Sequence, residues 1–198
     1  MILAVDTSLG TAVAVTGLDG RVVAEASSPD PLGHAEVIGD LLARVARPGI
    51  AYAVAGMGPG PFTGLRIGIA AARAFALGRG IPVVPVPSHY AAALAALDDG
   101  IEGTFAIVTD ARRREIAVSV FDGTDADGIP NLVQPTRLEK QGTPLEVPVI
   151  ETGRLSAADL ARVAARAIAA GRTLADGEPL YLRSPDVVQP GAPKRVSG

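Results

Sequence analysis

The 198-residue sequence contains no cysteine, no tryptophan, only two histidines and only two lysines, Lys140 and Lys194. Without cysteine there can be no disulfide, thiolate metal site or cysteine nucleophile. His34 and His89 form neither a His-x₃-His pair nor a His-Glu-x-x-His helix, so a zinc hydrolase site lacks its ligands and no metal is expected. His34 is expected at a helix start, and His89 is read as a partly exposed helix residue. Gly-x-Ser-x-Gly is also absent. No run is long enough to span a bilayer, and Met1 leads straight into a strand-like run without a charged leader. The expectation is a cytoplasmic chain without a membrane partner. A formal net charge of −3 supplies no long-range attraction to phosphate backbones, which argues against autonomous nucleic-acid binding. What remains is apolar, at 48% of residues, enough for one large domain or two small ones.

Along the chain, Ile2–Val5 reads as a buried strand ended by Asp6-Thr7-Ser8, and Ala12–Thr16 and Arg21–Glu25 flank Asp19-Gly20 as a hairpin. A helical stripe runs over 34–46, Ala51–Ala55 is a strand, and a helix follows over Thr63–Leu77 with Thr63 as its cap. Val83–Val86 is a strand, and Ser88 caps a short helix to Leu97. The polar stretch 98–103 marks a boundary, dividing the chain into 1–100 and a smaller 101–198. Beyond it the opening is repeated: Phe105–Thr109 ends in Asp110, Glu115–Phe121 alternates, and Asp122-Gly123 is expected to turn. Ser156 starts an amphipathic helix to Ala170. The tail from Glu178 is expected to pack as an extended arm or to fray. The duplication predicts an α/β fold of two related subdomains with mixed sheets.

Three groups of residues carry chemistry, each with more than one reading. Asp6 and Asp110 end equivalent strands, so they are either turn caps or carboxylates facing across a cleft that holds nucleotide and Mg²⁺, with Thr7, Ser8 and Thr11 as phosphate donors. The glycine segment Gly56–Gly68 opens a helix but lacks Gly-Lys-Ser/Thr, and Pro59 and Pro61 remove amides that a phosphate cradle needs. Packing is the stronger reading there: Gly64, Gly68, Ala71 and Ala72 let another helix approach closely, with Leu65, Ile69 and Phe75 adding apolar area. Composition alone leaves open whether that contact is internal or between molecules. Arg112-Arg113-Arg114 is either a solvated edge or a contact to tRNA or nucleotide within a complex.

Ile2–Ser8, Gly58-Pro59-Gly60-Pro61-Phe62-Thr63-Gly64-Leu65-Arg66-Ile67-Gly68, Asp110-Ala111-Arg112 and Pro179-Leu180-Tyr181-Leu182-Arg183 together resemble the bacterial TsaB (YeaZ) family over nearly the whole chain. The glycine segment with its helix is the most specific part. The resemblance implies an actin-like, ribonuclease-H-like fold and a non-catalytic role in making N6-threonylcarbamoyladenosine at position 37 of ANN-decoding tRNAs. The paralogue TsaD performs the transfer and holds its metal with a His-x₃-His pair. The ATPase TsaE joins them, and TsaB forms a homodimer when TsaD is absent. Carried onto this chain, the partner interface comprises Thr63, Gly64, Leu65, Ile67, Gly68, Ala71, Ala72 and Phe75, and bulk at Gly68 or Ala72 is expected to block association while the monomer stays folded. No cofactor is expected on the chain by itself. ATP or ADP with Mg²⁺ is placed at complex interfaces, and tRNA contact only through the complex. The competing reading is an enzyme, metallopeptidase-like or an actin-like ATPase. Two departures stand out: a short connection between Ala46 and Ala51, and a second subdomain trimmed before Ser156.

Overall fold

The computed structural model describes residues 1–30 and 33–183. The opening segment forms an antiparallel meander of β1 (Ile2–Asp6), β2 (Thr11–Thr16) and β3 (Val22–Ser28). After α1 (His34–Val45), β4 (Tyr52–Gly56) pairs parallel to β1; after α2 (Phe62–Arg79), β5 (Val83–Val86) pairs parallel to β4. The sheet order is β3-β2-β1-β4-β5. Following α3 (His89–Asp98), the pattern recurs: β6 (Thr104–Asp110), β7 (Glu115–Thr124) and β8 (Pro130–Lys140) form a meander, and β9 (Val149–Glu151) adds parallel to β6. That sheet runs β8-β7-β6-β9, the first order with one strand fewer, and α4 (Ala157–Ala169) is the last helix or strand among the described residues.

The duplication read from the sequence is therefore a duplication of topology, but its second turn lies elsewhere. Asp122-Gly123 does not turn; β7 continues through both residues to Thr124. The reversal occurs at Asp125–Ile129, where Asp125 Oδ1 accepts from the Asp127 and Ile129 amides, both at 3.0 Å, and Gly128 has φ 72°. An Asp-Gly pair marks a turn only where the register ends, and pairing with β8 as far as Thr124↔Pro130 carries this strand past it. The trimmed second half is also visible. Residues 141–148 contain no helix where α1 lies in the first half.

Residue 100 marks a change of sheet but not a break in the core. α4 packs across β1 and β2 of the first sheet as well as on α3, so one cluster contains Ile2 and Ala4 together with Phe105, Phe121 and Leu160. The other face of β1, Leu3 and Val5, packs against α1 and α2 through Leu41, Leu65 and Ala72. A strand covered by helices on both faces reads as a continuous apolar run, as Ile2–Val5 does.

Candidate functional site

The polar residues singled out from the sequence lie just beyond the carboxyl ends of the parallel strands. Asp6 ends β1, Gly56 ends β4, and Ser88 follows β5 by two residues. The register Val5↔Ala55 and Gly56↔Val86 brings these strand ends side by side. Asp6 is 2% exposed. Its Oδ1 accepts from the Ser8 amide at 2.8 Å, and its Oδ2 accepts from Ser88 Oγ at 2.5 Å. Ser88 Oγ also lies 2.9 Å from Ser8 Oγ and accepts from the Gly58 amide at 3.0 Å. Burial pushes the Asp6 carboxyl above its ordinary value, opposed by the hydrogen bonds from Ser88 and Ser8 and by the nearby His34.

This cluster changes three expectations. Ser88 holds the cap position of α3 as expected, but its hydroxyl is committed to Asp6 and does not close the helix end. Asp6 does not face solvent, and a Cβ at Gly56 would sit 2.7 Å from Asp6 Cγ, so the carboxylate fills the space that glycine leaves. The hydroxyls proposed as phosphate donors are also used internally. Thr7 Oγ1 donates to the Gly64 carbonyl at 2.7 Å, and Thr11 Oγ1 pairs with His34 Nδ1 at 2.9 Å. Ser88→Ala is expected to cost about 2 kcal/mol, because Asp6, Ser8 and the Gly58 amide each lose a buried partner. A urea-unfolding loss below about 0.5 kcal/mol, the range of ordinary surface changes, would contradict that role.

Asp110 stays near the surface. Its Oδ1 accepts from the Arg112 amide at 2.9 Å, capping the turn that carries the three arginines. Arg112, Arg113 and Arg114 are exposed and have φ of 63°, 56° and 61°. Asp110 thus belongs to the turn-capping reading, and it lines an inter-sheet cleft that Asp6 does not reach. Among the described residues no group of three or more His, Cys, Asp or Glu side chains could hold a metal.

The glycine segment divides the expected interface residues by face. Gly64, Leu65, Gly68 and Ala72 point inward: a Cβ at Gly64 would lie 2.9 Å from His34 Nε2 and from the Thr7 carbonyl, and one at Gly68 would lie 2.9 Å from Thr7 Cγ2 and overlap Thr7 Oγ1. The close approach is internal, between α2 and the loop after β1. Thr63 is exposed, and Ile67, Ala71 and Phe75 are half-buried on the flank of the helix, at the edge of the same core cluster. Thr63 is also not the cap: α2 begins at Phe62, Pro61 occupies the cap position, and no side chain closes the end.

His89 is 1% exposed, not partly exposed. Its Nδ1 lies 2.7 Å from Ser119 Oγ and its Nε2 3.0 Å from Thr109 Oγ1, and burial drives its pKa down to about 3. The reason is the helix. In His89-Tyr90-Ala91-Ala92-Ala93-Leu94 there is no polar side, and a helix apolar all round is buried on more than one face. The tail does not fray over its described part. The Leu180 amide donates to Met57 O at 2.7 Å, Tyr181 stacks on Phe62 at 4.2 Å between centroids, and Arg66 Nε donates to the Tyr181 hydroxyl at 2.9 Å. Arg183 pairs with Glu115 and donates to Arg112 O, so the arm joins the glycine segment to the second sheet. Sequence reasoning missed Gly56, Ser88 and the arm's clasp. The first two were detectable from the rule that polar groups gather beyond the carboxyl ends of parallel strands.

The sequence model described as TsaD, tRNA N6-adenosine threonylcarbamoyltransferase, matches residues 36–164. The chain belongs to this family. An uncharacterized protein of Mycobacterium tuberculosis is 35% identical over 205 residues, covering 93% of this chain and 92% of that one. An uncharacterized protein of Mycobacterium leprae is 35% identical over 158 residues, 74% of this chain and 42% of its own. Among solved structures, a Pseudomonas aeruginosa protein described as similar to peptidase YEAZ superposes with a TM-score of 0.74 at 24% identity, covering 92% of this chain and 99% of that one. YeaZ from the same organism gives 0.71 at 24%, covering 91% and 99%. The fold is the actin-like α/β fold that the motifs implied.

Proposed function

We propose that this chain is a non-catalytic TsaB-type subunit that binds and activates TsaD for N6-threonylcarbamoylation of adenosine 37 in ANN-decoding tRNAs. His89 carries the reading. The resemblance places the transferase's paired metal histidines at the start of the helix after β5, which here is α3. At that place His89 has both ring nitrogens within hydrogen-bond reach of hydroxyls, and the residue four positions on is Ala93. A ring so engaged has no nitrogen left for a metal.

The half-buried flank of α2 is the docking face. Ile67, Ala71 and Phe75 recur at four-residue spacing along one flank of the helix and are only half-buried against the chain's own core. TsaD takes that face in the working complex, a second copy takes it when TsaD is absent, and TsaE and tRNA join through the assembly. Nucleotide and Mg²⁺ belong to the interfaces with those partners, because Asp6 is sealed within this chain. Reconstitution tests the reading: purified TsaD with the other complex components, assayed for modified tRNA, gains activity when this chain is added. Ile67→Arg, checked by its cooperative melting to be folded, lowers TsaD affinity by about tenfold or more. Equal TsaD activity without the chain, or unaltered binding by the variant, defeats the proposal.

A further inference from the structure

We propose that the open edge of β9 takes an extended segment of a partner protein, rich in β-branched residues and carrying lysine or arginine. The second sheet runs β8-β7-β6-β9, whereas in the first a fifth strand, β5, stands beside β4. β9 therefore ends its sheet where the duplicated half has one strand more. Its bonding leaves that edge usable. Pro148 O accepts from the Ala106 amide at 2.8 Å, and the Thr152 amide donates to Val108 O at 3.0 Å. Alternate residues of a strand turn their backbone groups to opposite sides, so Val149 and Glu151 aim theirs away from β6. Among the described residues no other strand pairs with β9, and no further backbone bond reaches either residue. Val149 is 45% exposed, and Glu151 is exposed.

Both faces of the edge have room for side chains. A groove of about 620 Å³ has Val108, Ile116 and Leu145 in its lining, over a small core cluster that no helix covers. A second groove, of about 710 Å³, lies between β9, α3 and the β2–β3 ladder. Val149 lines the first and Ile150 the second, as successive residues of one strand must. An added strand sends alternate side chains into the two. Charge selects its chemistry. Glu25, Asp99 and Glu151 line these grooves without an ion-pair partner among the described residues, Asp159 is paired with Arg162, and Arg154 is the one cation in either lining. Asp110 stands outside that balance, because it caps the turn of the three arginines. A second copy pairing through its own β9 is a poor occupant. That strand has three residues and brings another Glu151 rather than positive charge.

Amide-resolved NMR of the full chain tests this with two acetylated, amidated hexapeptides, Lys-Val-Lys-Val-Lys-Val and Glu-Val-Glu-Val-Glu-Val. The basic peptide is expected to shift amides of residues 149–152 and to bind at least about fivefold tighter than the acidic one. It slows hydrogen exchange at Val149 and Glu151 about tenfold or more, while Thr152, already bonded to β6, changes less. Glu151→Gln weakens the basic peptide about threefold. Val149→Pro, checked by cooperative melting, removes an N–H that β6 does not use and weakens binding about tenfold. Equal binding of the acidic peptide, unchanged exchange at Val149 and Glu151, or an unaltered Glu151→Gln overturns the proposal. So does self-association of the peptide-free chain that Val149→Pro abolishes, which gives the edge to a second copy. If Val149→Pro does not fold, the exchange rates and Glu151→Gln decide. TsaD does not enter the titration, so its outcome is separate from that of the reconstitution.

Discussion

Replacing Gly68 by alanine lowers the stability of the folded chain by about 3 kcal/mol, although the same change in an unobstructed helix raises it by about 1 kcal/mol. Gly68 lies inside α2 with its Cα turned toward Thr7. A methyl group there overlaps Thr7 Oγ1 and comes within 2.9 Å of Thr7 Cγ2 and 3.0 Å of its Cβ. Thr7 cannot swing away cheaply. It is fully buried, and its hydroxyl holds the Gly64 carbonyl at 2.7 Å. Either α2 moves off the sheet, opening its contacts with Leu3 and Val5, or the Thr7 hydrogen bond breaks in a dry interior. The same helix supplies the control. A Cβ at Gly78 meets nothing within 4 Å, so Gly78→Ala gains about 1 kcal/mol from helix propensity alone. Urea midpoints with unchanged slopes measure both. If the two variants move in the same direction, the packing account of α2 fails. The sequence-based expectation that bulk at Gly68 or Ala72 blocks association without unfolding the monomer changes accordingly. Both residues are internal, so any loss of association follows loss of the fold.

Acidification from pH 7 to pH 5 removes about 2 kcal/mol of stability through His89 alone, and the loss reaches about 4 kcal/mol by pH 3. In the folded chain the imidazole has a pKa of about 3, against an ordinary 6.5, because burial disfavours its charged form. The unfolded chain takes up a proton as pH falls through 6.5, and the folded chain does not do so until about pH 3. The unfolded state therefore binds more protons across that window, and stability falls as pH falls. Asp6 acts in the opposite sense. Its raised pKa lets the folded chain take up a proton before the unfolded chain does, which offsets part of the loss at the acidic end. His89→Gln can span Ser119 and Thr109 with an amide that does not titrate. Its stability should change less steeply between pH 7 and pH 5, the difference in slope reporting His89. Parallel curves for the two proteins would show that His89 does not carry the effect.

Several elements were legible because local signals agreed. β1 announced itself as a short apolar run ended by Asp6, and α4 as an amphipathic stripe opened by Ser156, whose hydroxyl accepts from the Asp159 amide at 3.0 Å. Val83–Val86 has the same bounds in sequence and structure. Asp122-Gly123 misled because turn propensity is local, whereas the length of β7 is set by pairing with β8. His89 misled for a related reason. Its residue type favours partial exposure, but α3 lies between α4 and the second sheet and has no solvent side at its start.

By itself the sequence determined the element order, the duplication, the absence of thiol chemistry and of a histidine pair, and the family. These follow from which residues are present and at what spacing. Tertiary structure decided how the polar groups are used. Asp6, Ser8 and Ser88 come from strand ends up to 82 positions apart, and only sheet register makes them one buried cluster. The direction of the small-residue face of α2, inward onto Thr7, is likewise not encoded in its periodicity. A three- and four-residue spacing shows that something packs closely, but not which surface does so.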